Sequence, residues 1–175
     1  MLRLFYGLLL TLCTLSTAVA QDQVEPPMTL ERLGKIIFAL DKTAQSNGSH
    51  FQMTIQDIPV LVLTDAKSNR MRTMVPIRAA EDITQKEMLR VMQANFDTAL
   101  DARYAIAQGK LWGTFIHPLS SLRKGEFISG LGQTINIATT YGTLFSGGAL
   151  SFNQGDSAPL QRKLIDDLLK KGDAI

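Results

Sequence analysis

The stretch from His50 to Gln56 alternates without a break: Phe51, Met53 and Ile55 fall on one side, and His50, Gln52, Thr54 and Gln56 on the other. A period of two over seven residues fits a strand with one buried and one wet face, and it excludes an all-helical chain. Val60 to Thr64 follows, apolar on both sides, and reads as a second strand inside the same sheet. A turn at Lys67-Ser68-Asn69 leads into a third strand, Arg70 to Arg78. Pro76 cannot donate to a ladder, so it puts this strand at an edge or ends its pairing there.

Helical patterns flank the strands. Thr29 reads as the N-cap of a first helix running to about Gln45, with Leu30, Leu33, Ile37, Leu40 and Ala44 on one stripe. Thr84-Gln85-Lys86-Glu87 is a capping box that opens a second helix, whose buried stripe is predicted as Leu89, Met92, Phe96, Ala99 and Leu100. A two-residue loop at Gln108-Gly109 then makes a hairpin. Its register sets Ala107 opposite Lys110, Ile106 opposite Leu111, Ala105 opposite Trp112 and Tyr104 opposite Gly113. One hairpin face carries Tyr104, Ile106, Leu111 and Phe115 and reads as core. The other carries Arg103, Ala105, Trp112, Thr114 and Ile116.

Beyond Pro118 a long helix is predicted over about Ser120 to Phe145, with Leu122, Phe127, Leu131, Ile135, Ala138 and Tyr141 or Leu144 inward. A break near Lys124-Gly125 is expected, and Gly130 and Gly132 read as points of close helix packing. Residues 147–158 are Gly/Ser-rich and read as a linker. Pro159 starts an amphipathic helix over 159–175, with Leu160, Leu164, Ile165, Leu168 and Leu169 on one face. The whole is an α+β domain over 29–146 in the order helix, three strands, helix, two strands, helix. Its five strands form an antiparallel sheet packed against the helices.

The N-terminus reads as a targeting segment. Arg3 is its lone charge, Leu4 to Leu15 is an apolar run, and Ala18-Val19-Ala20 offers small residues at both recognition positions, so cleavage after Ala20 is expected. Residues 21–28 are then a flexible, proline-containing leader, and the protein is periplasmic or secreted, with no stable membrane insertion after cleavage. Cys13, the sole cysteine, lies inside the segment, so the mature chain has no thiol for a disulfide, a nucleophile or a thiolate metal site. Loss of Arg3 turns the net charge of +2 into +1, which argues against a nucleic-acid partner.

Catalytic chemistry finds no support in the residue pattern. His50 lies on the polar side of the first strand. His117, before Pro118, reads as a strand-end residue bonded to backbone, or alternatively as the polar anchor of a small ligand beneath the hairpin. Metal sites lack a third and fourth ligand at sensible spacing. Gly130-Leu131-Gly132 lacks the lysine and preceding strand of a phosphate loop, and no serine sits in a Gly-x-Ser-x-Gly elbow. No cofactor is expected. Trp112 carries the functional expectation instead, the alternative being that the long helix or the tail helix covers its face. An aromatic side chain beside Ile116, Thr114 and the cation of Arg103, with Met74 on the third strand, suits a surface that binds protein. Arg103 and Lys110 would bias it toward acidic or mixed segments.

A family resemblance fits this element order. The segment from Leu89 to Asn95-Phe96, then Arg103-Tyr104-Ala105-Ile106, Gly109-Lys110-Leu111-Trp112, His117-Pro118-Leu119 and Glu126-Phe127 resembles the type III secretion chaperone-like fold. That fold is shared by the Tir chaperone (CesT) family and the YbjN-like family. The resemblance covers most of residues 29–146 and implies a homodimer that binds extended or unfolded segments of partner proteins, without cofactor or catalysis. Those chaperones are cytosolic and usually acidic, so this chain would be an exported member. The alternative is a small-ligand sensor or regulatory accessory module of the cell envelope.

Overall fold

The computed structural model describes residues 25–97, 99–142 and 159–173. The targeting segment, the first half of the leader (21–24) and the Gly/Ser-rich linker lie outside them. In chain order the elements are α1 (Leu30–Leu40), β1 (Gln45–Ser46), β2 (His50–Ile55), β3 (Ile58–Asp65), β4 (Arg70–Ala79), α2 (Gln85–Asp97), β5 (Arg103–Ala107), β6 (Lys110–Pro118), α3 (Lys124–Thr139) and α4 (Pro159–Asp173). The strands form one antiparallel sheet in the order β1-β2-β3-β4-β6-β5.

The sheet has six strands rather than the expected five. Helix α1 stops at Leu40, where Asp41 takes extended backbone, and Gln45 and Ser46 pair with Gln52 and Phe51 as a short edge strand. Asp41 fixes that end: its carboxylate accepts the N–H groups of Thr43 and of Thr54 on β2, each at 2.8 Å. A tight turn at Gln56-Asp57, with φ of 49° and 64°, joins β2 to β3. It lacks the glycine that usually marks such a turn. The turn at Gln108-Gly109 has φ of 50° and 70°, and the hairpin register is the one its two-residue length dictates.

Pro76 is accommodated because the β3–β4 pairing ends at Leu61↔Met74, before the proline, and the β4–β6 register shifts between Pro76 and Arg78. The missing N–H therefore breaks no ladder.

The helices gather on one face of the sheet. Phe51, Met53, Ile55, Val60, Val62, Met71, Val75 and Phe115 point into a core completed by Leu33, Ile36 and Ile37 of α1 and by Phe127, Ile128, Leu131 and Ile135 of α3. Leu164 and Leu168 of α4 enter the same core. Close approach explains two glycines of α3: a Cβ on Gly130 would stand 2.5 Å from the Phe115 ring, and one on Gly132 would stand 2.5 Å from Ile165 of α4. A second cluster joins Val91 and Ala94 of α2 to Tyr104, Leu111 and Ile137.

Helix α2 departs from expectation. Its capping box forms, with Thr84 Oγ1 accepting from Glu87 N–H at 3.2 Å and the Glu87 carboxylate accepting from Thr84 N–H at 2.8 Å. Yet Leu89, Met92 and Phe96 are 61%, 60% and 77% exposed. The helix packs through its smaller residues, Val91 and Ala94, and turns its large apolar stripe outward. Ile106 is likewise 44% exposed, although Tyr104, Leu111 and Phe115 on the same hairpin face are buried.

Candidate functional site

Opposite the helices, the sheet presents its other face. Alternation along β3, β4, β6 and β5 places side chains there in rows that follow the pairing. Leu61, Met74, Thr114 and Arg103 make one row, Pro76, Trp112 and Ala105 the next on one side, and Leu63, Arg72 and Ile116 the next on the other. All five residues singled out from the sequence, Trp112, Ile116, Arg103, Thr114 and Met74, thus share one patch. Leu61 and Leu63 join them. Sequence reasoning missed these two, although the both-sides-apolar pattern of β3 was the signal that its second face is not wet.

Exposure within the patch is uneven. Ile116 is 51% exposed, and Leu61, Leu63 and Met74 are half-buried. Trp112 is not the exposed aromatic expected from the sequence. It is 8% exposed, its indole N–H donates to the Ala107 carbonyl at 2.9 Å, and Lys110 Nζ lies 5.9 Å from its ring centroid. A satisfied indole N–H lets the ring sit in a buried place at no polar cost. Thr114 is buried as well, and its hydroxyl has no hydrogen-bond partner among the described residues. Trp112 and Thr114 are therefore the buried floor of the patch, and Ile116, Leu61, Leu63 and Met74 are its accessible part.

Arg103 is also less available than expected. Its guanidinium donates to the carbonyls of Leu100 and Ala102, which turns it onto its own chain.

Concavity follows the same residues. A cleft of about 330 Å³ is bounded by Leu63, Arg70, Arg72 and Ile116. On one side it shares Leu63 with a cleft of about 460 Å³ that reaches Leu61, Gln52 and His50. On the other it shares Ile116 with a cleft of about 560 Å³ lined by Asp101, Arg103, His117, Glu126 and Ser129. The first two lie along the outer face and share Leu63, and the third meets the first at Ile116 but turns to the helix side, where Gly125, Glu126 and Ser129 belong to α3.

The two histidines have local roles. His117 is half-buried, its Nδ1 lies 2.8 Å from the Pro118 carbonyl and its ring stacks on Phe115 at 5.9 Å, the backbone-bonded arrangement of a strand-end residue. His50 is exposed, with Nδ1 near Ser49 Oγ and Asn47 Oδ1. Among the described residues no three His, Cys, Asp or Glu side chains stand together as a metal site, and no helix is long and apolar enough to cross a membrane.

Two polar side chains outside the patch hold the neighbouring strand in place. Asn95 of α2 accepts the Tyr104 N–H at 2.7 Å and donates to the Tyr104 carbonyl at 3.1 Å. Gln133 Oε1 of α3 accepts from the N–H groups of Asp101 and Ala102 at 2.8 and 3.2 Å. Asn95 marks the family pattern in the sequence; Gln133 carries no signal there.

No family model matches the sequence, and no curated protein matches it. Solved structures do. A chain of the ExsC–ExsE complex is similar with 12% identity and a TM-score of 0.52, over 70% of this chain and 99% of that one. A chain of the HopA1–SchA chaperone–effector complex is similar with 10% identity and a TM-score of 0.47, over 62% of this chain and 91% of that one. At 12% identity the first of these speaks for architecture alone: the chain has a type III secretion chaperone-like fold.

Proposed function

We propose that this chain is an exported, homodimeric, non-enzymatic protein that holds a segment of a partner polypeptide against the outer face of its sheet. One observation carries the reading. Apolar side chains that join neither core cluster line adjoining clefts on the outer face of the sheet. Apolar burial at about 25 cal/mol per Å² supplies the affinity, and the fixed floor of Trp112 and Thr114 spares the complex the cost of ordering those side chains. Arg72, exposed between Leu63 and Ile116, gives the rim a cation, and the unpartnered Thr114 hydroxyl offers a polar contact. The fold match to a chain solved in complex with a second protein supports the same reading.

Export rests on the targeting segment of residues 1–20, and dimerisation on α2. Leu89, Met92 and Phe96 recur at i, i+3 and i+7, so one exposed apolar stripe runs along the helix. A second copy of the same stripe would cover it.

The test is affinity capture from an envelope extract of the source cells, using protein whose N-terminus is expected at Gln21. Wild-type protein should retain a polypeptide partner, and the double variant Leu63→Glu, Ile116→Glu should lose it while keeping its far-UV spectrum. Equal retention by a folded double variant would refute the reading.

A further inference from the structure

Opposite charges line one cleft without pairing. Where β5 begins, Gln133 of α3 draws the chain before Arg103 off the sheet, and a cleft of about 560 Å³ opens between the end of β6 and the first turns of α3. Its titratable lining is Asp101, Arg103, His117 and Glu126, and Ile116 gives it an apolar wall. Ligand clefts typically measure about 300–1,000 Å³. The outer-face reading does not use this cleft and shares only Ile116 with it.

Each charged group is held by a neutral partner. Arg103 Nη1 donates to the carbonyls of Leu100 and Ala102, which leaves the Nε and Nη2 N–H groups without a partner among the described residues. That edge of a guanidinium takes a carboxylate through two parallel bonds. Asp101 Oδ2 accepts from Gln133 Nε2 at 3.2 Å and Glu126 Oε2 accepts from the Arg123 N–H at 2.8 Å, so one oxygen of each carboxylate remains. Among the described residues neither carboxylate forms an ion pair with Arg103. His117 adds an acceptor. The Pro118 carbonyl can only accept, so Nδ1 carries the proton and Nε2 keeps its lone pair in the neutral ring.

Gln133 holds this arrangement from beneath. It is 3% exposed, and all its hydrogen-bonding groups are engaged here: Oε1 by the N–H groups of Asp101 and Ala102, Nε2 by Asp101 Oδ2 and Ser129 Oγ. A fully partnered buried carboxamide fixes the groups it touches. Fixed opposite charges that do not meet leave a field across the cleft, and a ligand carrying both signs complements both ends at once. A ligand of one sign meets a like charge.

We propose that this cleft binds a small zwitterion of the amino-acid type, with its carboxylate on Arg103, its ammonium against Asp101 and Glu126, and an apolar side chain on Ile116. His117 Nε2 is a further acceptor for the ammonium. Two carboxylates against one guanidinium make the ammonium the stronger anchor. Free amino acids and dipeptides share this chemistry.

The probes are leucine, leucyl-leucine, leucinamide and N-acetylleucine, each titrated into the ¹⁵N-labelled chain from Gln21 onward, the form expected after cleavage. Leucine or leucyl-leucine should shift the amides of Ala102, Arg103, His117 and Gly125, and the tighter of the two names the source. Leucinamide, which lacks the carboxylate, should bind about tenfold more weakly than leucine, and N-acetylleucine, which lacks the ammonium, more weakly still. Arg103→Gln should lower leucine to the level of leucinamide and leave leucinamide unchanged. Glu126→Gln keeps an oxygen for the Arg123 N–H and should weaken leucinamide. Equal binding of the charged and blocked forms, or an Arg103→Gln variant that weakens leucinamide as much as leucine, overturns the proposal. No response at those four amides, or shifts confined to Leu61, Leu63 and Met74, overturns it as well and leaves the outer-face reading intact.

Discussion

Gly130 has no side chain because Phe115 needs the space. With a Cβ, α3 would press on the Phe115 ring at 2.5 Å, and that ring lies at the back of the strand whose other side carries Thr114 and Ile116. Gly130→Ala should therefore cost about 1–3 kcal/mol, the usual penalty of overpacking a core. Urea denaturation checks it: a lower midpoint at unchanged slope is expected. The packing role of this glycine was legible in the sequence, because a phosphate loop failed on its neighbours. The role of Asn95 was not, since its carboxamide acts on backbone nine residues away, across a contact that only the fold creates. Trp112 shows the same limit: hairpin parity put it on the correct face, but parity does not say whether neighbours bury it.

Among the elements, the strands and the hairpin register were legible because a period of two and a two-residue loop leave little freedom. Helix α2 was not. Its large apolar residues satisfy helical spacing as well as its small ones do, and only the short distance to Tyr104 and Leu111 selects Val91 and Ala94 for the core. The early end of α1 was also hidden, because Asp41 stops it through a carboxylate that reaches Thr54 on another element. Hydrogen bonds from the Thr54 N–H and from Thr43 favour the ionised carboxylate and hold Asp41 below the usual aspartate range. A folded value below the unfolded one means a contribution to stability that is complete above about pH 4 and is lost as pH falls through the lowered value. Acid titration of folding should show it: Asp41→Asn should flatten the stability profile below about pH 4 relative to wild type. Parallel profiles would remove Asp41 as the linked group.

For the whole molecule, the division of labour is between two sides of one sheet. Helices α1, α3 and α4 complete the main core on one side, and α4, whose docking the sequence left open, closes it through Leu164 and Leu168. The other side and the outward stripe of α2 are the surfaces that the proposed partner and the proposed dimer would cover. Phe96→Glu, at a position 77% exposed, should halve the mass measured by light scattering without unfolding the monomer. A monomeric wild type would remove α2 as a dimer surface.

The most direct measurement is site-specific photo-crosslinking in source cells, with the photoreactive residue placed in turn at Leu61, Ile116 and, as a control on the exposed side of α4, Lys163. Adducts with a partner polypeptide from positions 61 and 116, and none from 163, are the predicted result. Adducts absent from 61 and 116, or equally abundant from 163, would contradict the claim that the outer sheet face holds another polypeptide.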